Sequence, residues 1–82
     1  MRVLDEIKKE AAQAQDKYGD FTSSHEGLGV LIEEFDELKS AIHANDLAAI
    51  EIEAIQVSAV ALRIALSCWS SLEFRARSVG AE

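Results

Sequence analysis

Apolar residues in the first part of the chain recur at steps of three and four: Leu4, Ile7, Ala11, Ala14 and Tyr18. That spacing aligns side chains on one face of a helix and predicts helix 1 over about residues 2–18. Gly19-Asp20-Phe21-Thr22-Ser23-Ser24 then breaks the pattern with glycine and short polar residues that favour turns. Ser23 followed three positions later by Glu26 has the form of a capping box, so a second helix is expected over about 25–44. Its seam is Leu28, Leu31, Phe35, Leu38 and Ile42. Asn45-Asp46 supplies a stop and then a new N-cap.

Helix 3 is expected over about 46–66 or longer. Ile52, Ile55, Ala59, Leu62, Leu66 and Trp69 form one seam, and Ile50, Val57, Val60 and Ile64 make the opposite face apolar too. A helix apolar most of the way round belongs inside a bundle. The residues after Trp69 either extend helix 3 or form a short fourth helix that frays over Ser78-Val79-Gly80-Ala81-Glu82. The fold expected is all-α: one helical domain over 1–82, with a central antiparallel helix hairpin. A chain of 82 residues buries only about 60–65% of its unfolded surface, so a second subunit is the natural cover. A homodimer or homotetramer is expected.

Composition narrows the function. Fifteen carboxylates stand against eight Lys and Arg, a net charge of −7 with no basic stripe, which argues against a nucleic-acid polymer as partner. An acidic surface also repels a free nucleotide unless a divalent cation stands between them. The lone Cys68 allows no internal disulfide and fits a reducing cytoplasm. MRVLDEIKKE lacks the apolar run of a signal peptide, and no uncharged run is longer than that from Ala54 to Leu62, about half a membrane span. No membrane partner is expected.

The short turn at Asn45 makes helices 2 and 3 antiparallel neighbours. Glu37 and Glu53 each lie eight residues from Asn45, and Glu34 and Gln56 each lie eleven, so at about 1.5 Å per residue the pairs sit level. On helix 2 they belong to the stripe Val30, Glu34, Glu37, Ala41; on helix 3 to Ala49, Glu53, Gln56, Val60. Carboxylates gathered on half-buried faces repel one another and lose hydration unless protons or a cation neutralise them. Mg²⁺, a hard ion that takes oxygen ligands and bridges to phosphates, suits the set. Zinc fits less well, since Cys68, His25 and His43 are not neighbours in the pattern. A di-iron bundle would require Glu-x-x-His pairs, and neither Glu-x-x pair here ends in histidine.

Glu33-Glu34-Phe35-Asp36-Glu37, fifteen intervening residues and Glu53-Ala54-Ile55-Gln56 resemble the EExxE…ExxD signature of MazG-like nucleoside triphosphate pyrophosphohydrolases. Lys17-Tyr18-Gly19-Asp20-Phe21 and Gln56-Val57-Ser58-Ala59-Val60-Ala61-Leu62-Arg63 are similar to flanking segments of small members, so the likeness covers roughly residues 17–66. The resemblance implies an all-α NTP pyrophosphatase fold assembled from two or more subunits. It also implies cleavage of a nucleoside triphosphate to its monophosphate and pyrophosphate, in house-cleaning of nucleotide pools. Mg²⁺ would be held by Glu34, Glu37 and Glu53, with Glu33 orienting a water or supporting the ligands. Gln56 stands where the signature has aspartate; it offers a neutral carbonyl in place of a charge, as a metal ligand or a substrate contact.

Each assignment has a plainer counterpart. The glutamates can be a solvated helical face and Gln56 a polar core residue; Lys17, Lys39 and Arg63, the cations within reach of phosphates, can be surface ion pairs. His43 suits a helix C-terminus and His25 a helix start. Tyr18, Phe21 and Trp69 are expected in the core rather than against a base. Two other functions fit the pattern: a helical interaction module that keeps the fold without turnover, and a divalent-ion or nucleotide sensor.

Overall fold

Three helices make up nearly all of the computed structural model, which describes residues 1–79 and the side chains of residues 1–70. They are α1 (Arg2–Tyr18), α2 (Ser24–His43) and α3 (Leu47–Val79), and no strand occurs among the described residues. The fold is all-α. α3 runs unbroken for 33 residues, so the segment after Trp69 extends it and no fourth helix forms through Val79; Gly80–Glu82 lie outside the described residues.

The breaks have local causes. Gly19 ends α1 at φ 75°, a conformation that favours glycine, while its N–H donates to the Gln15 carbonyl at 2.8 Å. Ser23 caps α2, its hydroxyl oxygen accepting from the Glu26 N–H at 3.1 Å. Glu26 reaches back one residue further than a capping box requires, accepting from the Thr22 N–H at 2.8 Å. Asn45 takes φ 56° after α2. Its N–H donates to the Ile42 carbonyl at 3.0 Å and that of Asp46 to the Ala41 carbonyl at 3.3 Å, the paired bonds of a Schellman ending. Asp46 then caps α3 by accepting from the Ala49 N–H at 3.1 Å.

α3 is the centre: α1 and α2 each pack on it, and among the described residues they do not pack on each other. Arg2 of α1 pairs with Glu51 at 2.8 Å and Gln15 bonds Arg63, so α1 runs along α3 in the same sense. Gly27 of α2 faces Ile64, whereas Glu34 and Glu37 meet Glu53. α2 therefore runs in the opposite sense. A Cβ at Gly27 would lie 2.9 Å from Ile64 Cγ1, which is why the start of α2 carries no side chain there.

The buried face of α2 differs from the expected seam. Gly27 and Ala41 are buried, while Leu28, Phe35 and Ile42 of that seam are about half exposed, as is Ile32. The apolar arc of α2 is wider than one neighbour can cover. α3 approaches its small-residue edge, where backbones come closest, and leaves the bulky side chains outward. The same happens on the other helices: Leu4 and Tyr18 on α1 and Ile52, Leu66 and Trp69 on α3 are exposed. Tyr18 and Trp69 are thus not core residues, because no third helix reaches them. The buried hydrophobic residues are Ala11, Ala41, Ala59 and Val60, and no large side chain is fully buried among the described residues. No helix of the described residues is long and apolar enough to cross a membrane.

Candidate metal centre

Because α1 and α2 lean on α3 without meeting, a groove of about 630 Å³ opens between them, within the usual range for small-molecule sites. One wall is the α1 stripe Glu10, Gln13, Ala14, Lys17, and the other is the α2 stripe Glu26, Val30, Glu34. The floor is Gln56, Val60 and Arg63 of α3, and Tyr18 with Gly19-Asp20-Phe21 closes one end. Each stripe follows three-four helical spacing.

Glu34 belongs both to the groove and to a carboxylate cluster. One oxygen from each of Glu34, Glu37 and Glu53 lies within 4.8 Å of the other two. Glu37 is exposed; Glu34 and Glu53 are half-buried, and the Oε2 atoms of both are shielded from solvent with no hydrogen-bond partner. Burial raises the pKa of Glu34 first, followed by the charges of Glu37 and Glu53. Burial also leads at Glu53, followed by its contact with Glu37. A shielded carboxylate oxygen without a partner costs free energy, and here two of them sit beside a third acid. An ion with Mg–O distances of about 2.1 Å holds its ligand oxygens about 3–4 Å apart. Small side-chain rotations reach that from the spacing seen. The donor set is all oxygen, as a hard cation requires, so these residues fit such an ion.

The level register counted from Asn45 thus brings Glu34, Glu37 and Glu53 together. Gln56 lines the groove one turn along α3 from Glu53. Glu33 is exposed and outside the cluster, acting on it only by raising the pKa of Glu34. Lys17 lines the groove, its ammonium 5.1 Å from the Tyr18 ring centre. Lys39 is exposed and is not among the groove residues. His25, His43 and Cys68 are exposed and take no part in the cluster.

No family model, curated protein or solved structure matches this chain. The site therefore stands on its own geometry.

Arg63 differs most from a surface cation. It is 6% exposed, its Nη2 donates to the Gly19 carbonyl at 3.0 Å and its Nε to Gln15 Oε1 at 3.3 Å. Its guanidinium also stacks 4.3 Å from the Phe21 ring centre. The surface ion pair weighed for Arg63 is thus replaced by a tie between α3 and the loop after α1. Two of its five N–H donors are committed to holding the groove closed at that end. Glu10 and Gln13 are not singled out by the sequence, and Asp20 and Glu26 stand out there only as turn and cap residues. The first two looked like the solvent side of an amphipathic helix, and only their step of three beside Ala14 and Lys17 hints at a shared wall.

Proposed function

We propose that this protein is a Mg²⁺-dependent nucleoside triphosphate pyrophosphohydrolase of the MazG-like class, working as a homo-oligomer in a reducing cytoplasm. The observation that carries the reading is the meeting of three carboxylates, two with shielded and unpartnered oxygens, at the end of a groove of nucleotide size. Its sequence counterpart is the likeness of the Glu33–Glu37 and Glu53–Gln56 segments to the signature of that class. Water adds to the α-phosphorus, the bond from the α-phosphorus to the α–β bridging oxygen breaks, and monophosphate and pyrophosphate leave. Mg²⁺ held by Glu34, Glu37 and Glu53 would offset phosphate charge and lower the pKa of a water. Gln56, neutral and facing the groove, is placed to contact the substrate or complete the ligand set without adding charge. Lys17, at the far rim, is the exposed cation of the groove.

The outward apolar residues of α2, Leu28, Ile32, Phe35 and Ile42, are proposed as the surface that a second copy covers. They lie on a different side of α2 from its groove stripe, so assembly leaves the carboxylates free. The same exposed surface also favours the second reading, an interaction module without turnover. The two readings part in an assay of pyrophosphate release with a panel of standard and modified NTPs and Mg²⁺. Activity in the wild type that falls at least a hundredfold in Glu37→Gln and Glu53→Gln supports the enzyme. Wild-type protein silent with every NTP supports the module.

A further inference from the structure

Arg63 carries a positive charge into the floor of the groove, and no described residue neutralises it. The side chain is 6% exposed, yet its contacts are all neutral. Nε donates to Gln15 Oε1, one Nη2 N–H donates to the Gly19 carbonyl, and the Phe21 ring lies against the guanidinium. These contacts fix the direction of the group and leave its charge in place. Among the described residues Arg63 forms no ion pair, whereas the exposed Arg2 is paired with Glu51. Three N–H groups remain, two on Nη1 and one on Nη2. Nη1 has no hydrogen-bond partner among the described residues but is not shut off from solvent, and the residue lines the groove. The acids at this end are engaged elsewhere: Asp20 accepts from the Gln15 amide and Glu26 from the Thr22 N–H, and both are exposed. A buried charge held only by neutral groups is costly until a counter-ion reaches it.

We infer that Arg63, with Lys17 at the rim, forms an anion subsite that takes a phosphate group directly, without an intervening metal ion. Lys17 supplies the second charge: it is exposed, lines the groove two residues from Gln15 and forms no ion pair among the described residues. A guanidinium fixed in direction and an ammonium on a flexible stem suit the several oxygens of a phosphate better than the two of a carboxylate. The subsite is distinct from the metal centre, because ten residues of α3, about 15 Å of helix, separate Glu53 from Arg63. It needs neither the ion nor turnover, and so goes beyond the nucleotide reading.

The test is an NMR titration of the full chain with inorganic phosphate in a chelator, at an ionic strength held constant with sodium chloride. Under these conditions the metal-free carboxylates repel the probe. The Arg63 Nε–H signal, identified by its absence from Arg63→Lys, should move along a saturable curve while that of Arg2 stays in place. Binding should weaken about threefold in Lys17→Ala, an exposed position, and at least tenfold in Arg63→Gln, both followed at the Gly19 and Phe21 amides. Should Arg63→Gln lose helix content by circular dichroism, the wild type and Lys17→Ala decide the matter. An Arg63 signal that does not saturate, one that moves no more than that of Arg2, or an affinity unchanged in Lys17→Ala would overturn the inference. Failure here is separate from failure of the enzyme reading. A chain that binds phosphate at Arg63 and releases no pyrophosphate from any NTP keeps the subsite and loses the enzyme; one that hydrolyses NTPs with the Arg63 signal unmoved does the reverse.

Discussion

Replacing Glu53 with glutamine should raise the stability of the metal-free protein and reduce its response to Mg²⁺. In the wild type, oxygens of Glu34, Glu37 and Glu53 lie within 4.8 Å of one another. Two unit charges at that distance repel by about 1 kcal/mol at the dielectric of water and about 3.5 kcal/mol at an effective value near 20. Glu37 is exposed, so the lower figure governs its pairs. Glu53→Gln removes two of the three repulsions while keeping the shape of the side chain. The expected gain is about 1–2 kcal/mol, which for a domain of this size is roughly 4–16 °C in Tm. Mg²⁺ acts in the other direction. For a weak carboxylate site with Kd of about 1 mM, 10 mM Mg²⁺ stabilises the wild type by about 1.4 kcal/mol through mass action.

The measurement is a set of melts by circular dichroism at neutral pH, wild type and variant, in a chelator or in 10 mM Mg²⁺ at matched ionic strength. The wild type should gain roughly 6–11 °C from Mg²⁺; the variant should start higher and gain much less. At matched ionic strength screening is the same in chelator and in Mg²⁺, so it cannot produce crossed behaviour of this kind. A variant that melts below the wild type in chelator, or gains as much from Mg²⁺, would refute the claim that the three carboxylates act as one crowded cluster.

The pKa values of Glu34 and Glu53 are raised, so the native state binds more protons than the unfolded chain above the ordinary carboxylate pKa of about 4.3. Metal-free stability should be greatest below that pH and fall as pH rises through the raised values, and saturating Mg²⁺ should flatten the profile in urea titrations. Asn45→Ala places a Cβ without a helpful side chain at φ 56° and should cost about 1 kcal/mol, whereas Asn45→Gly should be neutral or stabilising; chemical denaturation separates them. Phe35→Glu, on the exposed side of α2, should shift sedimentation from dimer or larger toward monomer while retaining helix content.

Some of this structure is legible in the chain and some is not, for physical reasons. Local signals act over a few residues, and Ser23, Asn45 and Asp46 place helix ends within a residue or two of where they fall. The carboxylate register follows from counting, because a three-residue turn leaves two helices little freedom to slide. Helix rotation is another matter. The periodicity of Leu28, Leu31, Phe35, Leu38 and Ile42 marks an apolar arc, yet which edge of the arc meets α3 depends on the close approach at Gly27 and Ile64, a property of two helices together. Arg63 escapes for the same reason: its partners Gln15 and Gly19 lie more than forty residues away in sequence. Glu10 and Gln13 look solvated until α2 is seen to stand off from α1.

Leaning two helices on a third without mutual contact opens the groove and weakens the molecule together. Among the described residues only Ala11, Ala41, Ala59 and Val60 form the buried apolar core, and small side chains contribute little transfer free energy each. The cluster of like charges then works against the same hairpin that builds it. On the proposed reading, both weaknesses are relieved from outside, by a cation between α2 and α3 and by a second copy against the outer face of α2. Each binds the folded state, so each adds to stability by mass action. Because α2 supplies Glu34 and Glu37 to one and Leu28, Ile32 and Phe35 to the other, loss of either raises the cost of ordering the helix that the other needs. The cation and the partner are therefore expected to be positively coupled: Mg²⁺ should tighten self-association, and Phe35→Glu should weaken Mg²⁺ binding from a residue that lies outside the carboxylate cluster.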